Sequence, residues 1–264
     1  LKEEKERKLT IDLGFAWLKT SNGKEISIID VPGHARFIKN MLAGVGGIDI
    51  ALLIVAADES VMNQTKEHID ILNLLQIKQI IPVITKIDLV NQDWLDLVIK
   101  DVESLIKTTD LSCSPIIRVS AKTGEGLLKL KNSIERSLIT TEPKKDLGRP
   151  RLYIDRSFIM AGFGTVVTGT LIDGKLKVGQ NVELVNSGVR TRIRGIQAHR
   201  KTTEVALPGS RVAVNITNIS PKDIQRGEVL TIPGWLKRSE AVDVKLTISS
   251  NIPRPVKHNN QVTL

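Results

Sequence analysis

A single cysteine among 264 residues, Cys113, excludes a disulfide framework and any cysteine-based zinc site, and it suits a reducing compartment. Aromatic residues are nearly as scarce. Four Phe, three Trp and one Tyr are too few for the rows of stacking rings used by readers of single-stranded nucleic acid. No apolar run approaches the ~18 residues of a membrane span, and the opening LKEEKERK has no apolar core behind it that would read as a signal peptide. The four histidines are scattered and make no zinc cluster with one cysteine. A G-x-S-x-G elbow and a Ser/His/Asp arrangement are both missing. The expectation is a soluble, cytoplasmic protein with no membrane attachment.

Charge and core are present. At 41% apolar residues the chain is long enough to bury two cores. Residues 1–142 hold 18 Lys/Arg against 20 Asp/Glu, whereas residues 143–264 hold 20 against 9. A near-neutral domain joined to one that meets a polyanion has this asymmetry, and so does a merely soluble basic surface.

In the first half, strand-like runs at Ile26–Ile29, Ala51–Ala56, Ile80–Ile84 and Ile116–Val119 alternate with helical periodicity over Gln64–Leu75, Asp93–Ile106 and Leu127–Leu138. That alternation predicts an α/β domain over 1–142, a parallel sheet with helices on both faces. Pro82, inside a strand run, removes a ladder donor and blurs that boundary. Residues 142–150 read as a linker. Beyond them, short Val/Ile/Thr-rich runs broken by Asp173-Gly174, Asn186-Ser187-Gly188, Pro208-Gly209 and Arg226-Gly227 predict an antiparallel β-barrel over 149–238. A further strand, Val242–Ile248, would open a third domain at 240–264. The chain starts with Leu and stops at Val262-Thr263-Leu264 in mid-pattern, which reads as a fragment.

The chemistry sits after the first-half strands. Asp30-Val31-Pro32-Gly33-His34 places a carboxylate where a nucleotide-bound Mg2+ needs an oxygen. Gly33 follows, where a backbone N–H can approach a terminal phosphate, and His34 can orient water or answer developing charge. Thr85-Lys86-Ile87-Asp88 follows a buried strand, and Ser120-Ala121-Lys122 follows the next. The spacing predicts that all three loops share the carboxyl edge of one sheet. Asp88 suits the two donors of guanine, Lys86 can lie along the base, and the Ala121 N–H can meet the guanine oxygen. Elsewhere, His68 reads as a solvated or capping residue and Trp17, Trp94 and Trp235 as packing residues.

This set resembles the third, fourth and fifth motifs of translational GTPases, with Thr10-Ile11-Asp12 similar to the end of their first switch. The stretches TIDLGFA, DVPGHARFIKNMLAGVGGIDIALLIVAADESVMNQTKEHIDIL, TKIDLV, SAKTGEGL and IDRSFIMAGFGTVVTGTL resemble the selenocysteine-specific elongation factors, the SelB family. The resemblance implies a GTP/GDP and Mg2+ site: Thr10 and Asp30 linked to the metal, Gly33 sensing the γ-phosphate, and His34 catalytic. Thr85, Lys86, Asp88, Ser120, Ala121 and Lys122 would bind guanine. It further implies a monomeric carrier of selenocysteyl-tRNA to the ribosome, with a messenger RNA element contacted through a C-terminal region outside this chain. A general aminoacyl-tRNA carrier, an initiation-type GTPase and a non-hydrolysing tRNA- or ribosome-binding module stay open as alternatives.

Some residues depart from the family pattern. Arg7-Lys8-Leu9 lacks the usual glycine, and Thr85, Ala35 and Ser60 stand where Asn, Glu and Gly are common. No G-x-x-x-x-G-K-[ST] phosphate loop occurs. The nearest approach, Gly169 to Leu176, reads as a hairpin turn around Asp173-Gly174 and ends in Leu where a hydroxyl is needed. The resemblance puts the true loop upstream of Leu1, and the chain as it stands is expected to be inactive. Laid against the general carrier's amino-acid pocket, the second domain offers Asp155, Arg156, Phe158 and Arg211, joined by His199. Positive charge there would favour an anionic selenolate over serine's neutral hydroxyl.

Overall fold

A computed structural model of the chain describes residues 10–23, 25–37, 41, 47–77, 79–109, 111–141, 146–198, 201–245 and 257. It opens with a hairpin of β1 (Gly14–Lys19) and β2 (Glu25–Asp30), paired from Gly14↔Asp30 to Lys19↔Glu25. At the turn the Gly23 N–H donates to the Thr20 carbonyl at 3.0 Å, with Gly23 in the left-handed region at φ 82°. The connection between the paired Lys19 and Glu25 is longer than a two-residue turn, and Gly23 supplies positive φ within it.

The parallel sheet comprises β3 (Ala51–Ala56), β4 (Gln79–Thr85), β5 (Ser112–Cys113) and β6 (Ile117–Arg118), with β4 central. Three helices pack on it: α1 (Asn63–Leu74), α2 (Gln92–Lys107) and α3 (Leu127–Thr140). Successive β4 side chains face opposite sides. Ile80 and Ile84 join Ile69 and Leu72 of α1 and Leu95, Val98 and Val102 of α2. Ile81 and Val83 meet Val119, with Leu130 and Ile134 of α3 against them. Pro82 costs the sheet little. The Ile80 and Ile84 carbonyls accept from Ser114 and Val119, so position 82 faces the same side, opposite the break between β5 and β6.

Helices cover both faces of β4, as expected. One expectation is corrected here. The Asp30 loop does not share a sheet with the other two loops. Among the described residues β2 pairs with β1 on one edge and with no strand of the parallel sheet on the other.

The second half folds as an antiparallel barrel of β7 (Arg151–Met160), β8 (Gly164–Asp173), β10 (Asn181–Leu184), β11 (Arg190–Ala198), β14 (Arg211–Ile216) and β15 (Val229–Thr231). The order β10-β15-β7-β8-β14-β11 closes through a β10–β11 pairing. β12 (Lys201–Thr203) extends the β11 edge, and β9 (Leu176–Lys177) pairs β13 (Val205–Ala206). Inward residues such as Leu152, Ile154, Val167, Leu171, Val214 and Leu230 are fully or nearly fully buried. Gly169 is required where β8 crosses β7, since a Cβ there would lie 2.0 Å from the Tyr153 carbonyl oxygen. Gly174 turns the chain at φ 66°, but β8 and β9 on either side of it pair with other strands, so Asp173-Gly174 is a turn and not the hairpin expected. Residues 242–245 form no strand, against the expected Val242–Ile248, and 246–248 lie outside the described residues.

Candidate functional site

The base-binding side of the site is built at the carboxyl ends of β4 and β6. Thr85 closes β4, its carbonyl accepting from the Ala57 N–H at 2.9 Å. Lys86 then takes left-handed φ (57°), an uncommon conformation for a residue with a Cβ. Its ammonium bonds both Asp58 carboxylate oxygens, at 3.0 and 2.9 Å, with Glu59 at 3.8 Å. The hydrogen bond to Asp58 raises the Lys86 pKa, with further help from the charges of Asp58 and Glu59. The loop carrying Asp58 is fixed in turn by Trp94, whose indole donates to the Ala57 carbonyl at 2.8 Å. Trp94 thus does more than pack. The Asn91 cap that accepts from the Trp94 N–H was the available sign that α2 starts beside this loop.

Asp88 and Ser120 meet. The Ser120 hydroxyl, fully buried, donates to Asp88 Oδ1 at 2.6 Å and accepts from the Thr123 N–H at 3.1 Å. That bond, with smaller help from the Lys122 charge, holds the Asp88 carboxyl below its ordinary value. A carboxylate kept ionised accepts hydrogen bonds and donates none, which suits a base edge presenting two N–H groups. The turn from Ser120 through Ala121 and Lys122 ends on Gly126, at φ 74°, where a Cβ would sit 1.9 Å from the Arg118 carbonyl oxygen.

The phosphate side is less assembled. Asp30 is exposed at the end of β2, opposite Gly14. Thr10 is half-buried. Among the described residues no group of three metal-ligating side chains forms, so the donor set here does not by itself make a Mg2+ site. His34 Nδ1 accepts from the Arg36 N–H at 3.2 Å, and its ring tilts against Phe37 at 6.0 Å. Gly33 is tied back by His68 of α1, whose Nε2 lies 3.0 Å from the Gly33 carbonyl oxygen. The solvated or capping role expected for His68 is corrected by this contact, which spans 35 residues and leaves no local trace in the sequence.

A second cluster joins the hairpin to the barrel. Asp12 pairs Arg226 at 3.0 Å and Arg156 at 3.2 Å, and the Leu13 carbonyl accepts from Arg156 at 2.6 Å. Burial raises the Asp12 pKa, but the Leu13 N–H bond and the charges of Arg226 and Arg156 outweigh it and leave the carboxyl below its ordinary value. On β14, Arg211 grips Asp155 with both terminal nitrogens, and Thr168 donates to the same carboxylate at 2.7 Å. The Phe15 ring faces both arginines, 3.5 Å from the Arg211 guanidinium carbon and 5.2 Å from that of Arg156. Asp155, Arg156 and Arg211 are therefore brought together as expected. Phe158, by contrast, is 42% exposed further along β7, and the ring beside the arginines is Phe15. His199 lies outside the described residues. Among those residues, no helix is long and apolar enough to cross a membrane.

The family model of the elongation factor Tu GTP binding domain matches residues 1–140, and that of elongation factor Tu domain 2 matches residues 164–231. The chain is 45% identical over 262 residues to the selenocysteine-specific elongation factor of Desulfomicrobium baculatum, covering 99% of this chain and 41% of that protein. It is similar to the crystal structure of a bacterial selenocysteine-specific elongation factor, EF-Sec, at TM-score 0.82 and 34% identity, over 88% of this chain and 40% of that one. It is also similar to translation elongation factor SelB from Methanococcus maripaludis in complex with the GTP analogue GPPNHP. There the TM-score is 0.79 and the identity 35%, over 84% of this chain and 49% of that one. The chain thus spans between two fifths and half the length of these relatives.

Proposed function

The chain belongs to the elongation factor Tu family of GTP-binding proteins, where its relatives include selenocysteine-specific elongation factors, and from that premise we propose that it serves GTP-dependent delivery of selenocysteyl-tRNA to the ribosome. The observation that carries the nucleotide half is the buried Ser120 hydroxyl fixing the Asp88 carboxylate at 2.6 Å beside Lys86. Asp88 receives the guanine N1–H and amine, the Lys86 stem lies along the base, and the Ala121 N–H meets the guanine oxygen. Thr85 and Lys122 frame the same pocket. Thr10 and Asp30 would hold a Mg2+ bound together with GTP, which would supply positive charge beside the phosphates. Gly33 would offer its backbone N–H to the γ-phosphate, His34 would orient the attacking water, and loss of the γ-phosphate would release the switch.

The arginine cluster supports the tRNA half. Among the described residues Arg156, Arg211 and Arg226 form ion pairs with the carboxylates of Asp12 and Asp155, three positive charges against two negative. A selenol is far more acidic than serine's hydroxyl and is largely anionic at neutral pH, so this excess favours the selenocysteyl group where shape alone discriminates poorly. The test uses the full-length gene product with a GTP analogue. Selenocysteyl-tRNA should bind more tightly than seryl-tRNA, and Arg156→Ala or Arg211→Ala should erode that preference with little change in salt dependence. Equal losses for both tRNAs, with a shallower salt slope, would instead make these arginines phosphate contacts.

A further inference from the structure

Asp12 stands two residues beyond Thr10, and the chain between them reaches at most about 7 Å. Any pull on Thr10 is therefore transmitted almost directly to Asp12. The Asp12 side chain is held in a fixed pose by the Leu13 N–H, which donates to Oδ1 at 2.8 Å. From that pose Oδ1 takes Arg226 and Oδ2 takes Arg156. The same Arg156 nitrogen bonds the Leu13 carbonyl, so a guanidinium of the barrel is engaged by a carboxylate and a backbone oxygen of the GTPase domain. Arg211 is not held this way; its carboxylate partner, Asp155, belongs to the barrel itself. The two arginines beside Phe15 thus differ: one is satisfied within its own domain, the other by the segment that follows Thr10.

We propose that Asp12 is an internal occupant of the anion site at Arg156, a latch that a negatively charged aminoacyl group must displace and that opens when the Thr10 segment moves. The idea rests on the reading of Arg156 as part of the amino-acid pocket. A carboxylate already seated on the guanidinium has the charge a selenolate would bring, so the incoming anion replaces one ion pair with another and gains little. Once Thr10 is drawn toward bound nucleotide, Asp12 is withdrawn, Arg156 is left with uncompensated charge, and the anion gains the whole interaction. A ligand can shift such an equilibrium only by its differential affinity for the two arrangements. Here that difference is the strength of the Asp12 contacts. Both arginines are partly exposed, 42% for Arg156 and 35% for Arg226, so the effect is modest.

The experiment measures the affinity of the full-length gene product for selenocysteyl-tRNA in its GDP form and its GTP-analogue form. Asp12→Asn keeps the shape and removes the charge. It should strengthen binding in the GDP form by about 1.5- to fivefold, the scale of partly exposed ion pairs, and leave the analogue form unchanged, narrowing the ratio between the two. Arg226→Gln loosens the same carboxylate from the barrel side and should move the ratio in the same direction, which guards against a folding defect in either variant. Weaker binding in both forms, or no change in either, overturns the latch, since a plain interdomain staple can only lose when cut. The pocket reading is judged separately, by the selenocysteyl-to-seryl preference, so its failure does not masquerade as failure of the latch.

Discussion

Removing the Asp155 carboxylate should unsettle the barrel more than any loss of surface charge. The Asp155 side chain is 4% exposed, and it accepts from both terminal nitrogens of Arg211 and from Thr168. Asp155→Ala strands the Arg211 guanidinium, itself 15% exposed, and leaves the Thr168 hydroxyl without that acceptor. Cutting a buried pair from one side costs about 3–5 kcal/mol. The Phe15 ring remains 3.5 Å from the guanidinium and retains roughly 0.5–2 kcal/mol of cation–π attraction. The net expectation is a loss of ~2–4 kcal/mol, which for a domain of this size lowers the midpoint by roughly 10–20 °C. Asp155→Ala with Arg211→Met removes both charges, and should return to within about 1 kcal/mol of the parent because no unpaired ion remains. Urea unfolding followed by circular dichroism, with Trp235 fluorescence reporting the end of the barrel, measures all three proteins. A single variant within about 0.5 kcal/mol of the parent, or a double variant worse than the single, would refute the reasoning, since a solvated pair behaves in that way.

His34→Ala in the full-length protein should leave GTP affinity nearly intact while slowing ribosome-stimulated hydrolysis by ~10²-fold or more; equal damage to binding and turnover would make the residue structural. Asp88→Asn replaces an acceptor with a side chain that also donates, so nucleotide competition should show guanine affinity falling and xanthine, which carries an oxygen in place of the amine, gaining. The Asp12 contacts respond to acid in a defined sense. The Asp12 pKa is depressed below its ordinary 3.8, so what its ion pairs contribute is complete above that value and is lost as pH falls through the lower folded value. The stability difference between the parent and Asp12→Asn should therefore hold from neutrality to about pH 4 and disappear below it. Paired denaturant titrations across that range check it, and a difference that faded near pH 6 would point to a different group.

Much of the fold was legible in the sequence because its signals are local. The ALLIVA and IIPVIT runs, the helical periodicity of α1 to α3 and the Gly-containing turns of the barrel each report on a few consecutive residues, and each forms near the expected place. The β1–β2 hairpin was also signalled, by Asn22-Gly23 between FAWLK and EISII. The reading of Thr10-Ile11-Asp12 as the end of a switch carries no signal of where β2 pairs, and among the described residues its partner is β1. The guanine-side residues were found because their loops follow the carboxyl ends of successive parallel strands, where geometry and sequence order coincide.

The arginine cluster shows where such reading stops. Arg156 and Arg211 were found by residue type and by resemblance, but their partners were not. Asp155, expected in the pocket with them, is the buried counter-ion of Arg211, and the bulge in β7 between Ile154 and Arg156 accompanies that placement. Asp12 lies 144 residues from Arg156 and 214 from Arg226, and Phe15 stands in a strand of the other domain. No pattern of period two or three connects residues so far apart; only the docking of the hairpin on the barrel does. That docking, reinforced by Lys201 bonding Glu25 at 2.9 Å, converts a composition signal, an excess of basic residues in the second half, into a particular arrangement. Two of those basic residues are spent on the Asp12 carboxylate ahead of the hairpin, and one on a carboxylate of the barrel itself. A basic surface serving only solubility gains nothing from that division.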